Sequence, residues 1–154
     1  MTLGVLATLA VRYLLVMLFF PFSALDKILN FQGAVGQAEQ IASPNIAKAM
    51  IVAGIGVELL MPLAILTGTA DRAAGIVMAG YCMVTAIMWK QFWQPGDFWH
   101  KGDSKARDLF WDFLKNFSLA GGFLLLAVGA HGSLGAFLTR PLASSHPYTQ
   151  QAPS

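Results

Sequence analysis

Two ionisable residues, Arg12 and Glu58, lie inside long apolar stretches of this chain. A charge in hydrocarbon is costly, so such a residue normally faces the interior of a helix bundle, finds a partner, and marks a candidate functional site. At 1.5 Å per residue, Arg12 lies about 12 Å from the start of its stretch and Glu58 about 15 Å from the start of the next. Consecutive stretches run in opposite directions across about 30 Å of hydrocarbon, so these depths match and predict an ion pair.

The predicted Arg12 and Glu58 pair has two interpretations, and the sequence leaves both open. In the first, the pair is a buried salt bridge that fixes the register of two helices and has no further role. In the second, one member binds a polar head group, a proton or a substrate. The residue types do not choose between a structural lock and a binding site.

A second polar cluster is predicted at the other end of the same helices. Asp26 and Lys27 end the first apolar stretch, while Lys115 and Asn116 open the last one, which places all four at one membrane level. A side-chain amide in a membrane helix usually forms a hydrogen bond with a neighbouring helix, so Asn116 is expected to bridge two helices. The cluster either binds a ligand or simply closes the bundle.

Several chemistries do not fit the residues present. Cys82 is the only cysteine, so the chain has neither an internal disulfide nor a thiol pair. The histidines, His100, His131 and His146, do not fall on facing helices at one depth, as haem ligation by a bundle requires. No phosphate-binding loop, Ser-His-Asp order or zinc spacing occurs. We therefore predict no catalytic residue and no metal site.

Composition indicates an integral membrane protein. The chain is 56% hydrophobic and only 12% charged, with a mean hydropathy of +0.58, whereas soluble domains are about 25% charged. A soluble fold of this size could not bury so much apolar surface. The net charge of +2 is too small to favour a nucleic-acid partner, so the expected surroundings are the lipid bilayer and other membrane proteins.

Four apolar stretches are each near the roughly 20 residues that a membrane-spanning helix needs. Backbone groups in lipid must be satisfied within their own segment, which favours helices over strands. The predicted fold is therefore all-α, an integral membrane four-helix bundle that forms one domain over residues 1–138. A Pro/Ser/Gln-rich tail, residues 139–154, is predicted to be disordered. The four spans cover about residues 4–25, 48–68, 73–92 and 109–130.

The segments between and within the spans give further expectations. The first connection, about residues 26–47, is expected to contain a short surface helix, and the second, residues 69–72, is a tight hairpin. The third, residues 90–108, mixes Trp, Phe and Lys in the manner of a segment at the lipid head groups. Pro21 and Pro62 are expected to kink the first two spans.

One stripe on the third span attracts attention because its members recur at helical spacing. Such a stripe is far more often core packing than part of a cofactor site, and we interpret it as core. It consists of Met78, Cys82, Thr85 and Trp89.

Basic residues predict the orientation of the bundle. Seven lie on the side of the first and third connections, and two lie on the opposite side, with Arg12 left out as intramembrane. The side richer in Lys and Arg is normally cytoplasmic, which places both termini outside the cytoplasm. The seven are Lys27, Lys48, Lys90, Lys101, Lys105, Arg107 and Lys115, and the two are Arg72 and Arg140.

Three segments resemble the DoxX family of bacterial four-helix membrane proteins. They are RYLLVMLFFPFSALDKILNF, GVELLMPLAILTGTADRAAGIVMAGYCMV and FLKNFSLAGGFLLLA, and the likeness in order and spacing covers about residues 8–131. The polar anchors that carry the specificity of this likeness are Arg12, Asp26-Lys27, Glu58, the hairpin 68–72 and Lys115-Asn116. His100 also fits a histidine often seen before the last helix of such proteins.

The resemblance implies a bacterial inner-membrane protein and a limited set of functions. The family name comes from a subunit of a thiosulfate:quinone oxidoreductase, and other relatives are similar to membrane anchors of redox assemblies. The chain is thus expected to be an accessory or anchor subunit of a respiratory or redox assembly rather than a stand-alone enzyme, with quinone or lipid as candidate ligands. The alternative is a structural or chaperone-like membrane protein without ligand chemistry. Fold transfers between relatives better than function does.

The orientation can be tested with fusions at the C-terminus. Alkaline phosphatase fused after Ser154 should be active, because the enzyme matures only outside the cytoplasm. A fluorescent protein that matures only in the cytoplasm should stay dark at the same position. Whole-cell phosphatase activity and fluorescence measure the two outcomes, and a bright fluorescent fusion would reverse the assignment.

Overall fold

A computed structural model describes residues 2–128, 139–140 and 142–149 of the chain. This part of the protein contains six helices and no strand, which confirms the all-α prediction. The helices are α1 (Leu3–Val16), α2 (Phe20–Leu29), α3 (Phe31–Ala38), α4 (Pro44–Thr67), α5 (Asp71–Trp89) and α6 (Lys105–Val128).

Four helical segments of the described chain are long and apolar enough to cross a membrane. They are Leu3–Leu29, which joins α1 and α2, and the three helices α4, α5 and α6. Large apolar side chains on every span face outward, and examples are Leu14, Leu60, Ile87 and Leu125. These side chains are stable in contact with lipid tails, so the predicted membrane-spanning four-helix bundle is confirmed.

The first span is not one continuous helix. Its helical pattern is interrupted at residues 17–19, and Pro21 lies in the first turn of α2. Proline suits that position, because it has no N–H and the first-turn N–H groups have no partner in their own helix. The expected disturbance near Pro21 is therefore present. By contrast, α4 continues through the buried Pro62 without a break.

The expected short helix in the first connection is α3. It buries Val35 and Ala38 against Ala47 and Ile51 of α4. This contact holds α3 beside the bundle, where Gly33 and Ala34 face the space between α2 and α4.

The predicted tight hairpin joins α4 to α5. Gly68 (φ 77°) and Ala70 (φ 52°) both adopt the left-handed conformation, which reverses the chain within a few residues. A side chain at Gly68 would lie only 2.9 Å from the ring of Pro147, so this position also needs glycine for space.

The described part of the C-terminal tail contacts this hairpin. Ser145 donates hydrogen bonds to Asp71 from both its backbone N–H and its hydroxyl, and the hydroxyl of Tyr148 donates to the carbonyl oxygen of Leu66. The prediction of a disordered tail over residues 139–154 did not anticipate these contacts. The predicted domain boundary itself lies beside residues 129–138, outside the described residues.

Side chains of the third connection cap the start of α6. The carboxylate of Asp97 accepts the backbone N–H groups of Lys105 (2.8 Å) and Ala106 (2.9 Å), and the hydroxyl of Ser104 accepts that of Arg107 (3.1 Å). Hydrogen bonds from Ala106 above all, and from Lys105, lower the pKa of Asp97. An ionised carboxylate therefore satisfies the free N–H groups at the start of α6.

Close backbone packing joins α5 to α6. A Cβ added at Gly75 would lie 2.8 Å from the backbone oxygen of Phe123, so the two helices approach through the missing side chain. Phe123 is itself fully buried, together with Phe20 and Met78, in the main hydrophobic core.

Replacing Gly75 by Ala should therefore destabilise the bundle. The new methyl group would force α5 and α6 apart, and overpacking of this kind costs about 1–3 kcal/mol. Gly80→Ala on the same helix is the matched control, because nothing lies within 4 Å of a Cβ there, and it should leave stability unchanged or raise it by up to about 1 kcal/mol. Thermal unfolding of the purified protein in detergent measures both; equal melting temperatures would contradict the close approach.

Candidate functional site

Glu58 is the centre of a buried hydrogen-bond network. It lies in α4, is 2% exposed, and accepts hydrogen bonds at Oε1 from the hydroxyls of Ser23 (2.9 Å) and Tyr81 (2.9 Å). The ammonium of Lys27 contacts both carboxylate oxygens, at 2.9 and 3.0 Å. An ionised carboxylate can be buried only with such charged and hydrogen-bonded partners.

These four residues come from three helices, and we call them the Glu58 network. Ser23 and Lys27 lie one turn apart on α2, and Lys27 Nζ also donates to Ser23 Oγ (2.7 Å). Tyr81 reaches across from α5 over Gly54, where an added Cβ would stand 3.3 Å from the tyrosine hydroxyl. The small residue therefore leaves room for Tyr81 to reach Glu58.

The Glu58 network borders a cavity of about 460 Å³, which we call the inner cavity. Its volume falls in the range of about 300–1,000 Å³ typical of small-molecule sites. Apolar walls come from Phe19, Phe20, Met50 and Ile51, and polar groups come from the network and from side chains of α2, α3, α5 and α6. The remaining lining residues are Asp26, Asn30, Gly33, Ala34, Gln37, Gly54, Cys82, Thr85, Trp89, Lys90 and Asn116.

Arg12 does not pair with Glu58, and that prediction was wrong. Its guanidinium forms an ion pair with Asp71 (2.7 Å) and donates to the backbone oxygen of Ile65 (2.6 Å) and to the hydroxyl of Ser145 (3.0 Å). Both members of the pair are buried, and neither lines the inner cavity.

The physical reason for this error lies in the first span and the hairpin. The depth estimate treated residues 4–25 as one straight helix, whereas the break at 17–19 separates Arg12 on α1 from Ser23 and Lys27 on α2. Asp71 was overlooked as a partner because it belongs to the hairpin rather than to an apolar stretch. As the first residue of α5, it lies fully buried at the same end of the bundle as Arg12.

The predicted second polar cluster, formed by Asp26, Lys27, Lys115 and Asn116, assembles only in part. Asp26, Lys27 and Asn116 line the inner cavity. Asn116 does not form the expected bridge, since its amide donates to the backbone oxygen of Asp112 in its own helix (3.0 Å). Lys115 is not among the cavity residues; its side chain is 76% exposed and lies 3.5 Å from Asp112.

His100 lies away from the cavity, in the third connection, and is exposed. Its backbone oxygen accepts a hydrogen bond from Arg107 (2.6 Å), which also donates to the carbonyl oxygens of Phe98 and Gly102. A ligand role for this histidine stays a prediction.

Sequence reasoning missed Tyr81, which lines the inner cavity and donates a hydrogen bond to Glu58. Tyr81 was not singled out, although it lies one position before Cys82 in the stripe interpreted as core. Within that stripe Met78 and Cys82 belong to the main hydrophobic core, and Cys82, Thr85 and Trp89 line the inner cavity. The hydroxyls of Tyr81 and Thr85 on one helix face were the available signal.

The fold and the buried charges together define a multi-pass integral membrane protein with a polar cavity between its helices. The sequence profile of the DoxX family matches residues 7–91, more than half of the chain, and the protein belongs to the DoxX family. The chain is also similar to the inner membrane protein YphA of Escherichia coli (strain K12), with 29% identity over 128 residues that cover 82% of this chain and 85% of that protein. No solved structure matches it significantly. The inner-membrane relative and the four apolar helices support a multi-pass location in the inner membrane.

The Arg12 and Asp71 pair can be tested by a double-mutant cycle. Arg12→Leu and Asp71→Leu should each cost about 3–5 kcal/mol, because either leaves a buried charge without its partner. The double replacement should recover much of that loss. Thermal unfolding in detergent measures the recovery. The double replacement of Arg12 and Glu58 by Leu is the control and should show no recovery of stability. Recovery in that control would instead support the ion pair predicted from the sequence.

Proposed function

We propose that this DoxX-family protein is an accessory or anchor subunit of a respiratory or redox membrane assembly, and that its inner cavity binds the head group of a quinone or lipid. The observation that carries the proposal is the position of the Glu58 network on a cavity wall. Glu58, Lys27, Ser23 and Tyr81 all line this space. The ligand roles of Asp26, Lys27, Glu58 and Asn116 belong to this proposal.

The two buried ion pairs differ in a way that supports a binding role for one of them. Arg12 and Asp71 are surrounded by protein groups, including Ile65 and the tail residue Ser145, as expected of a lock. The Glu58 network instead faces empty space large enough for a small molecule. A pair that served only to fix helix register would gain nothing from such a cavity.

The distribution of polar and apolar walls favours an amphipathic ligand. Charged and hydroxyl groups lie at the Glu58 network, while Phe19, Phe20, Met50 and Ile51 supply apolar surface. Phe19 is also 60% exposed on the outside of the first span. An apolar tail could therefore leave the cavity along this side chain towards the bilayer, which is the geometry that a quinone or a lipid needs.

The partner surface is proposed to lie in the third connection. Trp93 and Trp99 of this connection and Trp111 near the start of α6 are each more than half exposed, and they lie beside an aromatic cluster that includes Phe92 and Phe113. Exposed Trp residues on a rigid base are typical of membrane interfaces and of protein contacts. This surface supports an accessory role beside a larger partner.

The alternative function is a structural or chaperone-like membrane protein without a ligand. The Arg12 and Asp71 lock is the observation that favours it, because that site joins three helices and the tail and does not line the inner cavity. Under this alternative the inner cavity would be filled by lipid tails without specificity.

Filling the cavity should separate the two functions. Gly33 lines the inner cavity on α3, and nothing lies within 4 Å of a Cβ at that position. A Cβ at this position meets no neighbour, so Gly33→Leu should extend into the cavity and lower the amount of quinone that co-purifies with the protein by about tenfold or more. The measurement is the quinone content per mole of detergent-purified protein, by extraction and chromatography, together with binding of an added short-chain quinone.

Gly36→Leu is the matched control. Gly36 lies on the same helix, is equally open at its Cβ position, and does not line the cavity. It should keep the ligand content of the unmodified protein. If no quinone or lipid is retained above background, or if both variants retain the same amount, the ligand function is wrong and the structural alternative stands.

A further inference from the structure

The donors of the Glu58 network are already committed within the protein. The ammonium of Lys27 contacts Ser23 Oγ and both carboxylate oxygens of Glu58 within hydrogen-bond distance. The hydroxyls of Ser23 and Tyr81 both donate to Glu58 Oε1. A ligand carbonyl placed against this network would compete with Ser23 and Glu58 for these donors.

The acceptors of the network are not equally committed. Among the described residues, Glu58 Oε1 takes three hydrogen bonds, whereas Glu58 Oε2 takes only the one from Lys27. A carboxylate oxygen has two acceptor sites. The unused hydrogen-bonding capacity of the network is therefore an acceptor, and it calls for a donor on the ligand. The indole N–H of Trp89, which has no partner among the described residues, lies elsewhere on the lining.

Charge limits the kind of donor. Lys27 and Glu58 compensate each other at 2.9 Å, so the network is neutral as a unit. A ligand ammonium would add a positive charge beside Lys27, and a phosphate or carboxylate would add a negative charge beside Glu58. Either would be a third charge beside a pair that is already neutral, so a neutral hydroxyl fits best at the network itself.

Polar groups elsewhere along the lining offer the opposite chemistry. The amides of Asn30 and Asn116 each donate one hydrogen bond to the protein, to Asp26 and Asp112 respectively, and each amide has a second N–H. These groups can donate to a carbonyl or ether oxygen of a ligand. The lining therefore favours a ligand with a hydroxyl at Glu58 and with acceptor oxygens nearer to α3 and α6.

From this complementarity we infer that the inner cavity selects an aromatic head group that presents a hydroxyl to Glu58, as a hydroquinone or another phenol does, over the corresponding quinone or ether. The aromatic class follows from the rings that line the cavity, Phe20, Tyr81 and Trp89, which suit a flat head group. The inference rests on the proposed ligand function and narrows it from quinones and lipids in general to the reduced, hydroxyl-bearing form.

A matched pair of probes tests the inference on the full chain in phosphatidylcholine nanodiscs. The probes are a long-chain 4-alkylphenol and its methyl ether, which differ in the single O–H donor. Titration calorimetry should show the phenol bound about tenfold or more tightly, the difference expected for one hydrogen bond to a charged acceptor. Gly33→Leu should weaken the phenol strongly, and Gly36→Leu should not.

A change at Glu58 tests which atom is recognised. In Glu58→Gln an amide N–H replaces one carboxylate oxygen, so the preference for the phenol should shrink towards equality or reverse in favour of the ether. If this variant does not fold, the comparison of the two probes on the unmodified protein still decides the matter. A glycerol monoalkyl ether of the same chain length is the control for a lipid polyol; its binding more tightly than the phenol would overturn the aromatic assignment.

The possible failures are distinguishable. Equal binding of phenol and ether, or tighter binding of the ether, with both weakened by Gly33→Leu, would overturn the hydroxyl preference and leave the ligand function intact. Absence of binding by either probe, or binding that Gly33→Leu does not affect, would overturn the proposed function and this inference with it.

Discussion

Every buried charge in this protein must find its partner inside the protein, because the surrounding lipid supplies none. That constraint determines how the helices meet. Glu58 on α4 is stable in the bundle only because Lys27 and Ser23 on α2 and Tyr81 on α5 converge on it. One carboxylate therefore ties three helices together and sets their relative rotation.

The same constraint acts at the opposite end of the bundle with a different result. Arg12 on α1 draws together Asp71 of α5, the backbone of α4 at Ile65, and Ser145 of the tail. A carboxylate, a backbone carbonyl oxygen and a hydroxyl of the protein thus accept the hydrogen bonds of the guanidinium at close range. Arg12 and Asp71 do not line the inner cavity, whereas Glu58 does, so the two buried charges have different surroundings.

Small residues decide where empty space remains and where it does not. At Gly75 the missing side chain lets α6 approach α5 closely, and the space is filled by backbone. At Gly33, which lines the inner cavity, no neighbour lies within 4 Å of the position of the missing Cβ. Because α3 is anchored by Val35 and Ala38 against α4, this short helix forms one wall of the cavity rather than filling it.

The sequence by itself determined the elements of this protein. Four long apolar stretches, the tight hairpin and the short helix of the first connection follow from hydrophobicity and length, which are local properties and need no knowledge of the neighbours. The sequence also identified Arg12 and Glu58 as important, because a charge within an apolar span needs a partner inside the protein. The residue types of Asp26, Lys27 and Asn116 near one end of the spans also indicated a polar site there.

Only the tertiary structure decided which charges meet. Helix phase and depth left Arg12 and Glu58 as plausible partners, but the break before Pro21 and the buried position of Asp71 in the hairpin gave each a different partner. The packing of α5 and α2 on α4 brings the hydroxyls of Tyr81 and Ser23 to Glu58 as hydrogen-bond donors. Gly54 leaves the space through which Tyr81 reaches it. The cavity is the space that the packed helices leave unfilled between them, so no single stretch of sequence encodes it. Local patterns fix what each helix is, whereas pairing and empty space depend on side chains that are distant in the chain and meet only in the folded bundle.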